Sequence, residues 1–244
     1  MKNIQTAINR VHQIDALSHR KTILSSLYPT YKILIVLFYL IITTSYSIHN
    51  LGILVMFLPL LLFSLLGEIS LIHSLGELKP LIALLIFMGA PFLFFKDYGV
   101  ISFIVLTFKG VFTLLFSYIL MTSTTMEELC MGLSKMKIPQ PIIVVILLIQ
   151  RYLILFFKET DKTLLAYSLR APGEKGISLR TWGSLVGSMM LRSIDRAMNV
   201  YQSMMLRRFN GVMPMATHKY DLKITKLVFL IMMLLIIILK GLTL

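Results

Sequence analysis

The chain has 244 residues, of which 57% are hydrophobic and 14% charged, with a mean hydropathy of +0.83 and a formal net charge of +13. A soluble globular domain is about half apolar and about a quarter charged, so this balance excludes an ordinary soluble enzyme, a disordered chain and a disulfide scaffold. It leaves a polytopic membrane protein.

The N-terminal stretch MKNIQTAINRVHQID is polar and has no apolar core beside its charges, so it does not read as a cleavable signal peptide. Residues 1–32 carry five basic residues and one acidic, a net +4. Ile33 to Leu66 contains no Lys, Arg, Asp or Glu. A span needs about 20 apolar residues, so this run predicts two helices with a break near His49-Asn50. Pro80 to Phe95 is a third uncharged run, short for a span, flanked by Lys79 and Lys96, which can snorkel to the interfaces. Tyr98 to Met121 predicts a fourth span, interrupted by Lys109. An intramembrane charge is a functional candidate; the alternative is a lysine that snorkels to an interface.

TTMEELCMGLSKMKIP follows. Thr125 and Glu128 have capping-box spacing, and Met126, Leu129, Leu133 and Met136 share a face. A short interfacial amphipathic helix is expected, ended by Pro139 and Pro141. Cys130, the only cysteine, reads as a free thiol or, more simply, a packed small apolar residue. Ile142 to Phe157 has the hydropathy of a span, but Gln150 and Arg151 sit at its middle and it runs on into KETDKTLLAYSLR. One helix from Ile142 to Arg170 would be about 43 Å long, suited to lie on the cytoplasmic side. Pro172-Gly173 stops it.

A second long helix is expected over Leu179–Arg208. Met190, Ile194, Ala197, Tyr201 and Met204 form a narrow stripe, read first as core and second as a surface that re-packs. Arg192, Asp195, Arg196, Asn199 and Gln202 lie opposite. Gly183 and Gly187 make a G-x-x-x-G, which allows a close helix crossing. Each long helix ends in arginine followed shortly by glycine, SLRAPG at Arg170 and LRRFNG at Arg207-Arg208. A terminal arginine favours its own helix dipole, but it is also a planar donor fork for a partner's groove. Two long helices ending alike favour the second reading. Leu222 to Leu242 is the fifth span.

Residues 122–223 carry 14 basic and seven acidic residues, a net +7. With residues 1–32 they hold +11 of the +13, a distribution that follows the positive-inside rule and not a nucleic-acid surface. Five spans with a cytoplasmic N-terminus place 122–221 in the cytoplasm. The expected fold is an all-α integral membrane protein with about five transmembrane helices and cytoplasmic coupling helices, two of them long and crossing. It divides into 1–121, 122–221 and 222–244. The five histidines show no i, i+4 pair, and no phosphate-binding G-x-x-x-x-G-K-[ST] or nucleophile–base set is visible. No metal site, cofactor or catalytic site is expected in this chain.

The stretch from Thr124 to Arg170 and the stretch LRSIDRAMNVYQSMMLRRFNGVMP resemble the transmembrane T component of energy-coupling factor (ECF) transporters, in the style of its CbiQ subgroup. IDALSHRKTILSSLYPTYKILIVLFYLI resembles that family's opening. The resemblance implies a scaffold in the bacterial or archaeal cell membrane. Its partners would be two ABC-type ATPases, which hydrolyse the ATP, and a small substrate-binding membrane subunit; cobalt or nickel would be the cargo. It also implies two X-Arg-X motifs that dock in the ATPases: Leu169-Arg170-Ala171 and Leu206-Arg207-Arg208. Both depart from the common Ala-Arg-Gly. A T component of a vitamin importer, an integral-membrane lipid-modifying enzyme and a stand-alone channel or secondary transporter are the alternatives. The enzyme would need a clustered acid/base or metal set, and the channel internal repeats.

Overall fold

The computed structural model describes residues 22, 24–45, 55–94, 99–170, 179–213 and 220–243. Among them the regular structure is helical throughout, without a strand. The chain divides into two compact units. Among the described residues, one is a bundle that lies within 14–136 and 216–244; the other lies within 137–215. The short helix after Thr125 packs within the bundle.

The bundle contains α1 (Pro29–Ser45), α2 (Phe57–Gly67), α3 (Leu71–Glu77), α4 (Lys79–Gly89), α5 (Gly99–Ser123), α6 (Met126–Lys135) and α9 (Leu222–Thr243). The second unit contains α7 (Gln140–Arg170) and α8 (Leu179–Leu206). Gly99–Ser123, Gln140–Arg170 and Leu222–Gly241 are long and apolar enough to cross a membrane; Pro29–Ser45, Phe57–Gly67 and Lys79–Leu93 are shorter apolar helices. This is an all-α membrane protein. The break expected near His49-Asn50 lies outside the described residues, between α1 and α2.

Local chemistry sets several boundaries. Pro29 occupies the first position of α1, where its missing N–H costs nothing. The α6 capping box forms as expected: Thr125 Oγ1 accepts from the Glu128 N–H at 3.2 Å and Glu128 Oε2 from the Thr125 N–H at 3.1 Å. Pro141 does not end a helix; it lies in the first turn of α7, which begins at Gln140. α3 has no counterpart in the charge-free runs. Glu68, at a φ of 52°, turns the chain out of α2, and its N–H and that of Ile69 return to the carbonyls of Leu65 and Ser64.

The bundle core is built on an aromatic stack. Phe116 of α5 lies between Tyr39 of α1, with ring centroids 4.0 Å apart, and Phe63 of α2, at 4.6 Å. The Tyr39 hydroxyl donates to the Met56 carbonyl at 3.0 Å, so the one polar atom of the stack is satisfied. Met232 and Ile236 of α9 complete the core. Outward residues such as Ile41, Phe87 and Met88 stay more than half exposed, as a lipid-facing surface requires.

Polar contacts gather at the two ends of the bundle. At one end Lys32, fully buried, donates to the Ser123 carbonyl at 3.2 Å, with the charge of Glu128 nearby. There too the Tyr220 hydroxyl donates to Glu128 Oε1 at 3.3 Å, and the Tyr28 N–H to Thr225 Oγ1 at 3.2 Å. At the other end Lys109 donates to the Thr44 carbonyl at 2.9 Å and Lys240 to Ser45 Oγ at 3.2 Å. Lys109 therefore serves the open end of α1, a structural role, and does not stand isolated in the apolar run. α1 runs parallel to α9 and antiparallel to α5. The start of α1, the α5–α6 junction and Tyr220 share one end. Cys130 is fully buried, and burial with the Glu127 charge pushes its thiol above the usual range, so it is a packed residue.

Gly132 is where α6 meets the start of α1. A Cβ there would lie 2.7 Å from Ile33 Cδ1 and 3.2 Å from backbone atoms of Pro29 and Thr30. The Thr30 hydroxyl also donates to the Gly132 carbonyl at 3.3 Å. Gly132→Val should destabilise the bundle by about 1–3 kcal/mol, seen as a lower unfolding temperature in detergent. Gly76→Ala, where nothing lies within 4 Å, should not. A second expectation concerns pH. Burial, then the Glu128 charge and hydrogen bond, raise the Tyr220 phenol above its ordinary value of about 10. The folded bundle thus holds this proton more tightly than the unfolded chain. The resulting stability is fully present below about pH 10 and is lost as pH rises beyond it. Unfolding temperatures between about pH 8 and 11 should fall at the alkaline end, and less steeply in Tyr220→Phe.

Candidate coupling arms

α7 has 31 residues and α8 has 28, so at the helical rise they are about 46 and about 42 Å long. The long uninterrupted helices expected from the sequence are present, α8 ending at Leu206. Side-chain neighbours fix their direction. Ala166, Tyr167 and Arg170 of α7 share a groove with Leu185 and Ser188 of α8. Val145, Tyr152 and Phe156 share another with Val200, Tyr201 and Met204. The two helices are antiparallel.

Glu159 pins them. Its Oε2 accepts from Arg196 Nη2 at 2.5 Å, and its Oε1 lies 3.7 Å from Arg192 Nη1. Arg192 and Arg196 are one turn apart, so one carboxylate engages a single face of α8. These are the ion pairs among the described residues. Gly183 and Gly187, expected at the crossing, have nothing within 4 Å of where a Cβ would stand. The helices meet through a carboxylate and two long arginines, which hold the backbones apart and leave a groove of about 380 Å³. A pair of small residues brings helices close only where a partner helix passes over them; here the contact lies further along α8.

The methionine stripe is not core. Met190, Ile194 and Tyr201 are 64%, 46% and 64% exposed, while Ala197, Tyr201 and Met204 line the groove. Leu153, Leu165, Trp182 and Val186 are also exposed. Arg151 is exposed and does not line the groove. Apolar surface on this scale marks a site of interaction with protein or lipid.

The arginine ends are at opposite ends of the hairpin. Leu169 and Arg170 are the exposed last residues of α7; Ala171 lies outside the described residues. Arg170 neighbours Leu185, and Arg207 follows Leu185 by about 33 Å along α8. Leu206, Arg207 and Arg208 are all exposed. There the chain makes a Schellman turn: the N–H groups of Arg208 and Phe209 return to the carbonyls of Met205 and Met204, both at 3.0 Å. Arg208 takes the left-handed position with a φ of 53°. This is the position at which glycine has no steric cost, so Arg208 caps α8 at a place that favours glycine. Gly211, at a φ of 83°, and the Asn210 side chain, accepting from the Val212 N–H at 3.2 Å, complete the turn.

Glu159 and Gly132 were not distinguishable in the sequence. Arg192 and Arg196 read only as a polar face, and their i, i+4 spacing was the one available sign of a shared partner. The side chains of all five histidines fall outside the described residues. Glu159→Gln should weaken the arm contact by about 1 kcal/mol, read as faster amide exchange in α7 and α8. Gly187→Ala should be neutral or stabilising by up to about 1 kcal/mol, because it raises helix propensity in open space.

Comparison with curated proteins returns no match. The family profile described as CbiQ, cobalt transport protein, matches residues 20–219, which include α1 to α8 and most of the chain. The chain belongs to the CbiQ family of cobalt transport proteins, the T components of ECF transporters.

Proposed function

We propose that this chain is the transmembrane scaffold of an ECF-type ABC importer for cobalt or nickel. It couples two ATPases to a small substrate-binding membrane subunit. The observation that carries the reading is the antiparallel pair α7–α8, pinned at Glu159, with Arg170 and Arg207 exposed at opposite ends. An ATPase pair presents two equivalent grooves that are apart in space. Two arginine-bearing ends separated by several helical turns suit that spacing, whereas two adjacent ends would not.

In this reading residues 122–221 form the coupling region on the cytoplasmic side, the N-terminus shares that side, and 1–121 and 222–244 supply the spans. The bundle supports this, because the start of α1, the α5–α6 junction and Tyr220 are at one end. The ATPases hydrolyse ATP, and this chain supplies no catalytic group. Closure of the ATPase pair on ATP draws the Arg170 and Arg207 ends together. Stiff helices joined by an ion pair transmit that displacement to the substrate subunit, which tilts between loading and release. Each guanidinium, always charged and multiply donating, holds carboxylates or carbonyls of its ATPase groove.

The test is charge reversal. Arg170→Glu and Arg207→Glu should each leave the protein in the membrane and weaken ATPase retention by more than about tenfold, as loss of a desolvated charged contact implies. Metal uptake by cells should fall in parallel. Normal uptake by both variants would overturn the lever mechanism. Recovery of a vitamin-binding subunit with the tagged chain would keep the mechanism and change the cargo.

A further inference from the structure

α7 and α8 place two different surfaces side by side. The first is the groove of about 380 Å³, lined mainly by Val145, Leu148, Tyr152, Phe156, Val200 and Met204. The second is a charged cluster at the crossing, where Lys158, Lys162, Arg192 and Arg196 face Glu159 and Asp161. Glu159 and Arg196 line both, so the groove and the cluster adjoin at that ion pair. Four cations against two carboxylates leave a surplus of positive charge. Glu159 is committed to Arg196 at 2.5 Å and reaches Arg192 only at 3.7 Å. Among the described residues, Lys158 and Lys162 form no ion pair, and both are exposed.

An apolar trough that ends in surplus positive charge is complementary to an amphiphile with an anionic head. We propose that the α7–α8 groove seats an acyl chain of an anionic phospholipid, with Arg192 and Lys162 holding its phosphate. Each half of the site excludes a simpler ligand. A free phosphate makes no use of the trough, and a neutral lipid makes no use of the surplus charge. A guanidinium fork matches phosphate geometry, and an ammonium beside it adds a point charge. The ligand is at hand, because the chain lives in a bilayer and basic residues at its surface attract anionic lipids. The lipid would cover apolar surface that the arms leave open. This goes beyond the coupling reading and does not rest on it, since it concerns the chain by itself.

The experiment is lipid retention by the purified full chain in mild detergent. Phosphatidylglycerol or phosphatidylcholine with identical acyl chains is added, and the complexes are weighed by native mass spectrometry. One phosphatidylglycerol should be retained in preference to phosphatidylcholine. Arg192→Gln with Lys162→Gln should lower its retention on the order of tenfold, the loss of two basic contacts. Val200→Trp, which fills the trough and leaves every charge in place, should lower it as well. Lys79→Gln with Lys223→Gln, an exposed basic pair of the bundle, should leave it unchanged. Equal retention of the two lipids by the parent chain would overturn the proposal, whatever the variants do. So would an equal loss in the control pair. If Val200→Trp keeps the lipid but strips a co-purifying membrane protein, the occupant is protein and the proposal falls.

Discussion

A helix ends with carbonyls that nothing inside it satisfies, and in a bilayer water is not there to take them. Much of the bundle follows from how this chain meets that constraint. Where α5 ends, Lys32 is drawn fully into the protein to reach the Ser123 carbonyl. Where α1 ends, Lys109 and Lys240 reach Thr44 and Ser45. A buried lysine is costly unless its charge is compensated, and Glu128 supplies the compensation. Glu128 is in turn fixed by the α6 capping box and by Tyr220. One requirement at the end of α5 thus ties α1, α6 and the start of α9 into a single polar node beneath the aromatic stack. Where no lysine is in reach, the backbone closes the end itself, with Glu68 and Arg208 in the left-handed turn.

The arms are built on the opposite principle. They bury little and are joined by a carboxylate between two arginines, where the bundle uses interdigitated side chains. An ion pair with part of its surface in solvent contributes on the order of 1 kcal/mol or less, so it orients the helices more than it stabilises them. That division suits a part that must be stiff along each helix and adjustable between them. The helical ladder gives stiffness at no cost in contacts, and the long arginine side chains allow the crossing to shift while charge contact persists.

What was legible in the sequence was whatever repeats along it. The apolar runs marked α1, α5 and α9, the Thr125–Glu128 spacing marked the start of α6, and the absence of breakers marked α7 and α8. These are local signals, and the backbone obeys them locally. What was not legible was pairing. Lys109 read as an intramembrane functional candidate or a snorkelling lysine, because its partner, Thr44, is 65 positions away. Gly183 and Gly187 looked like a crossing because a small-x-x-x-small pattern permits close approach, but it does not name the helix that approaches. The methionine stripe looked like core because apolar periodicity records which residues share a face and not whether anything covers it.

The uncovered stripe also explains how two opposing properties coexist in one segment. α7 has the length and hydropathy of a membrane span, yet it carries Arg151, Lys158, Glu159, Asp161 and Lys162. A spanning helix has no use for a carboxylate with two arginine partners, and a soluble helix has no use for an exposed run of isoleucine, leucine and phenylalanine. A helix whose first half meets apolar surroundings and whose second half meets water and charged partners has a use for both. The antiparallel arrangement then sets the apolar half of α7 beside the C-terminal half of α8, with Tyr201 and Met204, and the charged half beside Arg192. The pair is therefore apolar where Tyr152 and Phe156 meet Val200 and Met204, and charged where Glu159 meets Arg192 and Arg196. That shared division of surface, more than either arginine end, makes the two helices one device.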